Sequence, residues 1–164
     1  MTKLPVLLDY VASLGHAVFT KGEYNLNIIG IRTVASDANT FDDRICLVYR
    51  DEVGWVTRTW PATTDPGTYW RTHPMNVDGT AILKPGQYRG AYKVGKHPSP
   101  AQEGMYGIHI HKSGRESTQV NKWSAGCQVF AEEAHFDEFM SIVYCAKTKW
   151  GDSFTYTLVD QPDF

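Results

Sequence analysis

Residues 106–130 read YGIHIHKSGRESTQVNKWSAGCQVF and gather side-chain types that can do covalent chemistry. The segment opens with alternation, so an extended strand would put Ile108 and Ile110 on one face and His109 and His111 on the other. Cys127 stands sixteen positions beyond His111, after Ser124, Ala125 and Gly126 and before the apolar pair Val129 and Phe130. A cysteine attacks as thiolate, and a free thiol with a pKa of about 8.5 needs a neighbouring base or cation to become one at neutral pH. His111 or His109 on a nearby strand would serve as that base. Gly126 lets a substrate approach the backbone closely, and the N–H groups of Cys127 and Gly126 could hold a developing oxyanion. This layout predicts a Cys-His nucleophilic site.

Two other readings use the same residues. His-x-His on a strand can present two imidazoles to one zinc, with Cys127 as a third ligand and His73, His97 or His135 in reserve. No His-Glu-x-x-His or Cys-x-x-Cys signature supports such a site, and no metal or other cofactor is expected. The blander reading makes Cys127 a buried thiol and both histidines ordinary strand residues. It leaves unexplained why a Gly-Cys pair, two histidines and a polar loop coincide. Around the site, Trp123 and Tyr92 are candidates for a cleft wall and Ser124 lies beside the nucleophile. Arg115, with Lys112, could hold a substrate carboxylate, and Arg89 is a further lining candidate.

The scaffold for this pair is a chain of 164 residues, which fits one domain burying roughly two thirds of its unfolded surface. Net charge is −2 with both signs interspersed, unlike the basic stripe of a nucleic-acid binder. No run approaches the roughly 20 apolar residues that span a bilayer. The opening MTKLPVLLDYVASLGHAVF shows helical spacing broken by Asp9 rather than a continuous apolar core, so it is not read as a signal peptide. Three cysteines without metal spacing suit synthesis in a reducing cytosol, with Cys46 and Cys145 expected as core thiols.

Leu4, Leu7, Leu8, Val11 and Leu14 predict a helix over residues 3–14 stopped by Gly15, within an N-terminal segment (1–20) packed on the single domain. Strands are expected at 24–33, 45–49, 55–60, 80–83, 87–94 and 106–111, and at 154–159 near the end. The pair 45–49 and 55–60 forms a hairpin. Residues 35–43 read as a solvated loop, and 61–79 as a long connection of the kind that often covers a site. Phe136, Phe139, Met140 and Val143 predict a second helix over 132–147. About seven strands and two helices far apart in sequence make a mostly-β α+β domain, without βαβ crossover units.

Residues 80–145 resemble the L,D-transpeptidase catalytic domain. That family carries a histidine at the end of a strand, a loop, and a Ser/Thr-His-Gly-Cys motif with the cysteine 16 to 18 positions on. Ser124, Gly126 and Cys127 match three of its four motif residues. Both His111 and His109 fall within its spacing, and His111 is favoured because it ends the strand. The turn Lys84-Pro85-Gly86-Gln87-Tyr88 is similar to the family's Pro-x-Gly-x-Tyr/Phe turn. Three positions depart from the pattern: Ala125 replaces the motif histidine, Gln128 follows the cysteine where an apolar residue is usual, and Lys112 replaces a small residue. The whole chain also resembles small phage-encoded proteins in which Ser-x-Gly-Cys-Gln recurs. These resemblances imply a β-sandwich with a short N-terminal helix and a helix following the nucleophile. They imply a peptidoglycan stem peptide as substrate and a thioester acyl-enzyme intermediate. Hydrolysis would make the protein an L,D-carboxypeptidase or endopeptidase of the endolysin kind, made in the host cytoplasm and acting at the wall after release. An amine acceptor would make it a transpeptidase. A wall-binding or virion module without activity is the non-enzymatic alternative.

Overall fold

The hairpin forms where the alternation is clearest. Strands β2 (Asp43–Arg50) and β3 (Trp55–Thr63) pair antiparallel from Arg50↔Trp55 to Asp43↔Ala62. Asp51 closes their turn, its Oδ1 accepting from the N–H groups of Val53 at 2.8 Å and Gly54 at 3.0 Å. A short aspartate that bonds to the backbone two residues on favours such a turn over continued strand. These coordinates are a computed structural model, and they describe residues 3–33, 41–64, 83–94, 110–112 and 128–162.

Strand β1 (Asn27–Arg32) lies antiparallel to β2 and parallel to β7 (Ser153–Asp160), which in turn pairs antiparallel with β4 (Gly86–Lys93). The β4 register shifts between Tyr88 and Tyr92, where Gly90 takes a positive φ of 63° that suits a residue without Cβ. On the other side, β6 (Gln128–Phe130) pairs antiparallel with β3, and β5 (Ile110–Lys112) lies parallel to β6. The described strands therefore form one sheet in the order β4-β7-β1-β2-β3-β6-β5. The mostly-β α+β class holds, with both helices where the periodicity predicts them. Helix α1 covers Val6–Ser13, and Gly15 follows it with φ 83°. Helix α2 covers Glu133–Trp150, ending three residues beyond the predicted end, and stops at Gly151 with φ 87°. The parallel partners β1 and β7 are not joined by a single crossover helix, since β2 and β3 follow β1 in the chain.

Each helix takes one face of the sheet. Leu8 and Val11 of α1 pack on Ile29, Ile31, Cys46, Val48 and Val159. Phe139, Val143 and Ala146 of α2 pack on the opposite side against Ile28, Ile45, Leu47, Trp60, Phe130, Tyr156 and Leu158. Two amide side chains strap the chain after α1 to the sheet. Asn27 bonds both the N–H and the carbonyl of Phe19, and Gln87 does the same for Ala17.

The facing sheets of a sandwich are replaced, among the described residues, by one coiled sheet. From β6 to β7 the order runs through β3, β2 and β1, which would be roughly 19 Å if flat. Yet the Tyr156 hydroxyl of β7 donates to Gln128 Oε1 of β6 at 2.5 Å. Those two side chains could not meet across a flat sheet, so the α2-covered face is concave. Helix α2, at 18 residues roughly 27 Å long, is long enough to carry the chain from β6 to β7 over that face.

Candidate active site

Aromatic packing holds the two short strands at the sheet edge. Phe130 of β6 lies 5.0 Å from the Phe139 ring, 5.7 Å from Phe136 and 5.7 Å from Trp60. Ile110 of β5 joins the same cluster. Three residues of strand would have little stability alone, so their position is set by this burial rather than by their own pairing. With Ile110, Gln128 and Phe130 turned toward α2, alternation sends His111 and Val129 to the opposite face. His111 pairs in register with Val129, and Val129 with Thr63 of β3, so these residues form one row across the edge.

His111 makes a hydrogen bond to the backbone that bears on which ring nitrogen is protonated. Its Nδ1 lies 3.0 Å from the Lys112 carbonyl oxygen. A carbonyl can only accept, so this contact assigns the proton to Nδ1 and leaves Nε2 as the acceptor nitrogen of the neutral ring. A general base needs that lone pair. The orienting group is a backbone carbonyl, which residue types do not reveal. Lys112 is bound in turn to Glu133 at 2.8 Å, fastening β5 to the first turn of α2. The hydrogen bond to Glu133 holds the Lys112 ammonium pKa above its ordinary value.

A polar cluster closes one end of the concave core. Asp43 is 1 % exposed, and its carboxylate accepts from Thr33 N at 2.8 Å, Thr64 N at 2.9 Å and Thr64 Oγ1 at 2.7 Å. Arg32 donates to Thr64 Oγ1 at 2.9 Å, to Thr64 O at 2.7 Å and to Leu83 O at 2.8 Å. The guanidinium thus ties the residue before segment 65–82 to the one after it. Asp43 belongs to a strand and is buried, which corrects its reading as part of a solvated loop. Buried charge is tolerable here because each carboxylate oxygen has donors. The strand-interior glycine in NIIGIR is the sequence signal that could have led here, since it marks a close approach. At Gly30 a Cβ would lie 1.9 Å from the Tyr156 hydroxyl.

The expected site residues divide sharply. His111 is described and half-buried on β5. Cys127, Gly126, His109, Ser124, Trp123 and Arg115 lie outside the described residues, as do His73 and His97. The described chain resumes at Gln128, the residue bonded to Cys127. Tyr92 is corrected from cleft wall to core: it is 2 % exposed, with its ring 6.2 Å from Phe139 and its hydroxyl 3.5 Å from Met140 Sδ. Burial pushes its phenol pKa well up. Arg89 stacks over the Phe19 ring at 5.6 Å.

Cys46 is the core thiol expected, its pKa raised by burial and its Sγ 3.3 Å from Thr59 Oγ1. Cys145 is instead exposed on α2, because the helical period turns it away from the row of Phe139, Val143 and Ala146. His135 pairs with Glu132 at 3.2 Å, and among the described residues no three His, Cys, Asp or Glu side chains group as a metal site would. No described helix is long and apolar enough to cross a membrane. No protein-family model, curated protein or solved structure matches this chain.

Proposed function

We propose that the protein is a cysteine-dependent murein peptidase acting on peptidoglycan stem peptides, of the L,D-carboxypeptidase or endopeptidase type. The observation that carries this reading is the parallel pairing of β5 with β6. It sets His111, with its acceptor nitrogen assigned, beside the strand that starts one residue after Cys127. In this mechanism His111 Nε2 takes the Cys127 thiol proton and the thiolate attacks the amide carbonyl. The N–H groups of Gly126 and Cys127 stabilise the oxyanion. The imidazolium then returns its proton to the departing amine as the C–N bond breaks, leaving a thioester. Water, deprotonated by the same imidazole, cleaves the thioester and restores the thiol. His109 remains the alternative base. The biological setting that fits is lysis of a host cell by a phage-encoded enzyme acting at the wall.

Purified sacculi test this directly. Incubation with the protein should release muropeptides whose masses show loss of a terminal D-residue or cleavage of a cross-link, and the Cys127→Ala variant should release none. Mass gain by an acceptor amine would indicate transpeptidation instead. Digestion that survives Cys127→Ala but is abolished by a chelator would replace this mechanism with the zinc reading. Digests of both proteins identical to buffer would overturn the enzyme for this substrate.

A further inference from the structure

We propose that Trp150, with Glu23 and Lys149 beside it, is a stacking site for one sugar ring of a glycan; that this glycan is the wall strand carrying the stem peptides rests on the peptidase reading above. Trp150 is the last residue of α2 and is 46 % exposed, whereas Trp55 is half-buried and Trp60 buried. Its ring is nevertheless fixed. The indole N–H donates to the Glu23 carbonyl at 2.8 Å. The ring also rests against Gly22, where a Cβ would lie 2.9 Å from Trp150 Cζ2, and where φ is 86°. An aromatic side chain held in this way and still open to solvent loses little freedom when a ligand settles on it. The loop that holds it is itself strained: Tyr24 is the one non-glycine residue with positive φ, 56°, among the described residues. Tyr24 is kept there by its N–H bond to the Arg50 carbonyl at 2.8 Å, by stacking on Tyr49 at 5.2 Å, and by the Lys149 ammonium 5.5 Å over its ring. Backbone strain of this kind gathers at ligand clamps.

The surroundings select the ligand. Lys21, Glu23, Thr148, Lys149 and Asp152, which flank Gly22 and Trp150 in the chain, are polar and exposed. The apolar surface is therefore one indole wide, too small for a protein interface. A pyranose has that width: its C–H face packs on an aromatic ring, and the hydroxyls round its rim need donors and acceptors. Glu23 Oε2 lies 3.0 Å from Lys149 Nζ, with both side chains nearly half exposed. Glu23 Oε1 accepts no hydrogen bond among the described residues, so the pair offers a carboxylate oxygen and an ammonium to those hydroxyls. Trp150 stands at the far end of α2 from Glu133, which binds Lys112 beside His111, roughly 26 Å away along the helix. The site thus anchors the glycan at a distance from His111 and acts on retention at the wall rather than on bond cleavage.

The test is an NMR titration of the isotope-labelled protein with chitotetraose, a soluble oligomer of N-acetylglucosamine. The Trp150 indole N–H signal is identified by its loss in Trp150→Phe. In the parent it should shift saturably, together with the backbone amides of Glu23 and Gly151. Trp150→Ala should bind about tenfold more weakly and Glu23→Gln about threefold, each read from the Gly151 amide in a spectrum otherwise dispersed like the parent's. Tyr144→Ala, which removes an aromatic side chain 52 % exposed elsewhere on α2, should bind like the parent. A Trp150 indole signal unmoved by chitotetraose would overturn the site. So would undiminished binding by Trp150→Ala, or an equal loss in Tyr144→Ala. Cleavage of a soluble stem peptide is measured alongside, and Trp150→Ala should match the parent in it. Saturable binding by a parent that cleaves neither this peptide nor sacculi would overturn the peptidase reading and the wall strand as ligand, and would leave the sugar site standing.

Discussion

Under α1 the sheet offers Ile29, Ile31, Val48 and Val159 to Leu8 and Val11, a mainly aliphatic contact with one buried thiol, Cys46, and with Tyr10 and Trp55 half-buried at its margin. Under α2 it offers Trp60 and Phe130, packed on Phe139, with Phe154 and Tyr156 in the same cluster, and at one end gives way to Arg32, Asp43, Thr64 and Gln128. The first contact asks only for volume and apolarity, which many side chains supply. The second depends on ring geometry, a missing Cβ and a chain of hydrogen bonds, so it fixes the position of what is attached to it. β5 and β6, the strands of the candidate site, are anchored in the second. The α1 contact tolerates exchange among apolar side chains, whereas the α2 contact also fixes where β5 and β6 lie.

The strongest way to break this contrast is at Phe139, which contacts the rings of Trp60, Tyr92, Phe130 and Phe136. Phe139→Ala should cost about 3–5 kcal/mol in urea unfolding, because it leaves a cavity among rings that cannot close over it. Leu8→Ala on the other face should cost about 3 kcal/mol for the same kind of reason. It should leave sacculus hydrolysis per folded molecule unchanged. A fall in that specific activity would mean that the two faces are not separable as argued. Gly30→Ala should cost about 1–3 kcal/mol by overpacking the Tyr156 hydroxyl. Unlike Leu8→Ala, it should also lower activity per folded molecule.

The smallest expected effect concerns alkaline pH. Burial raises the pKa of Cys46 above its ordinary 9.0 and that of Tyr156 well above its ordinary 10.0. The folded state therefore holds these protons more tightly than the unfolded chain does. The stability linked to them is complete below the ordinary values and is lost as pH climbs from about 9 toward the folded pKa values. The urea midpoint should fall over that range. Tyr156→Phe, having one buried phenol fewer, should fall less steeply, and an unchanged slope would mean that Tyr156 does not titrate against a folded-state penalty.

Much of this architecture is legible in the residues. The hairpin is announced by two alternating runs around Asp51 and Gly54. The second helix is announced by the apolar period of Phe136, Phe139, Met140 and Val143, and the first by Leu4 to Leu14 with its glycine stop. β6 escapes notice because three residues are too few to show a period, and Val129-Phe130 looks only like an apolar pair. The apolar period ends three residues before α2 does, because Lys147 to Trp150 continue the helix with exposed residues that carry no apolar signal. Tyr92 lies in the core and Cys145 at the surface, against expectation, for a related reason. A tyrosine suits a cleft or a core, and a cysteine in an apolar-looking run can still face outward.

At the candidate site the division is similar. The types and spacing of His109, His111 and Cys127 determine by themselves that Cys-His chemistry is conceivable, because reactivity belongs to the side chain and spacing belongs to the chain. Which strands become neighbours is a matter of long-range pairing, paid for by burial that no local pattern records. Only the folded sheet sets His111 opposite Val129, gives its Nδ1 a carbonyl to donate to, and coils until Tyr156 reaches Gln128 over Gly30. These are contacts between residues far apart in the chain, and their geometry comes from packing the concave face.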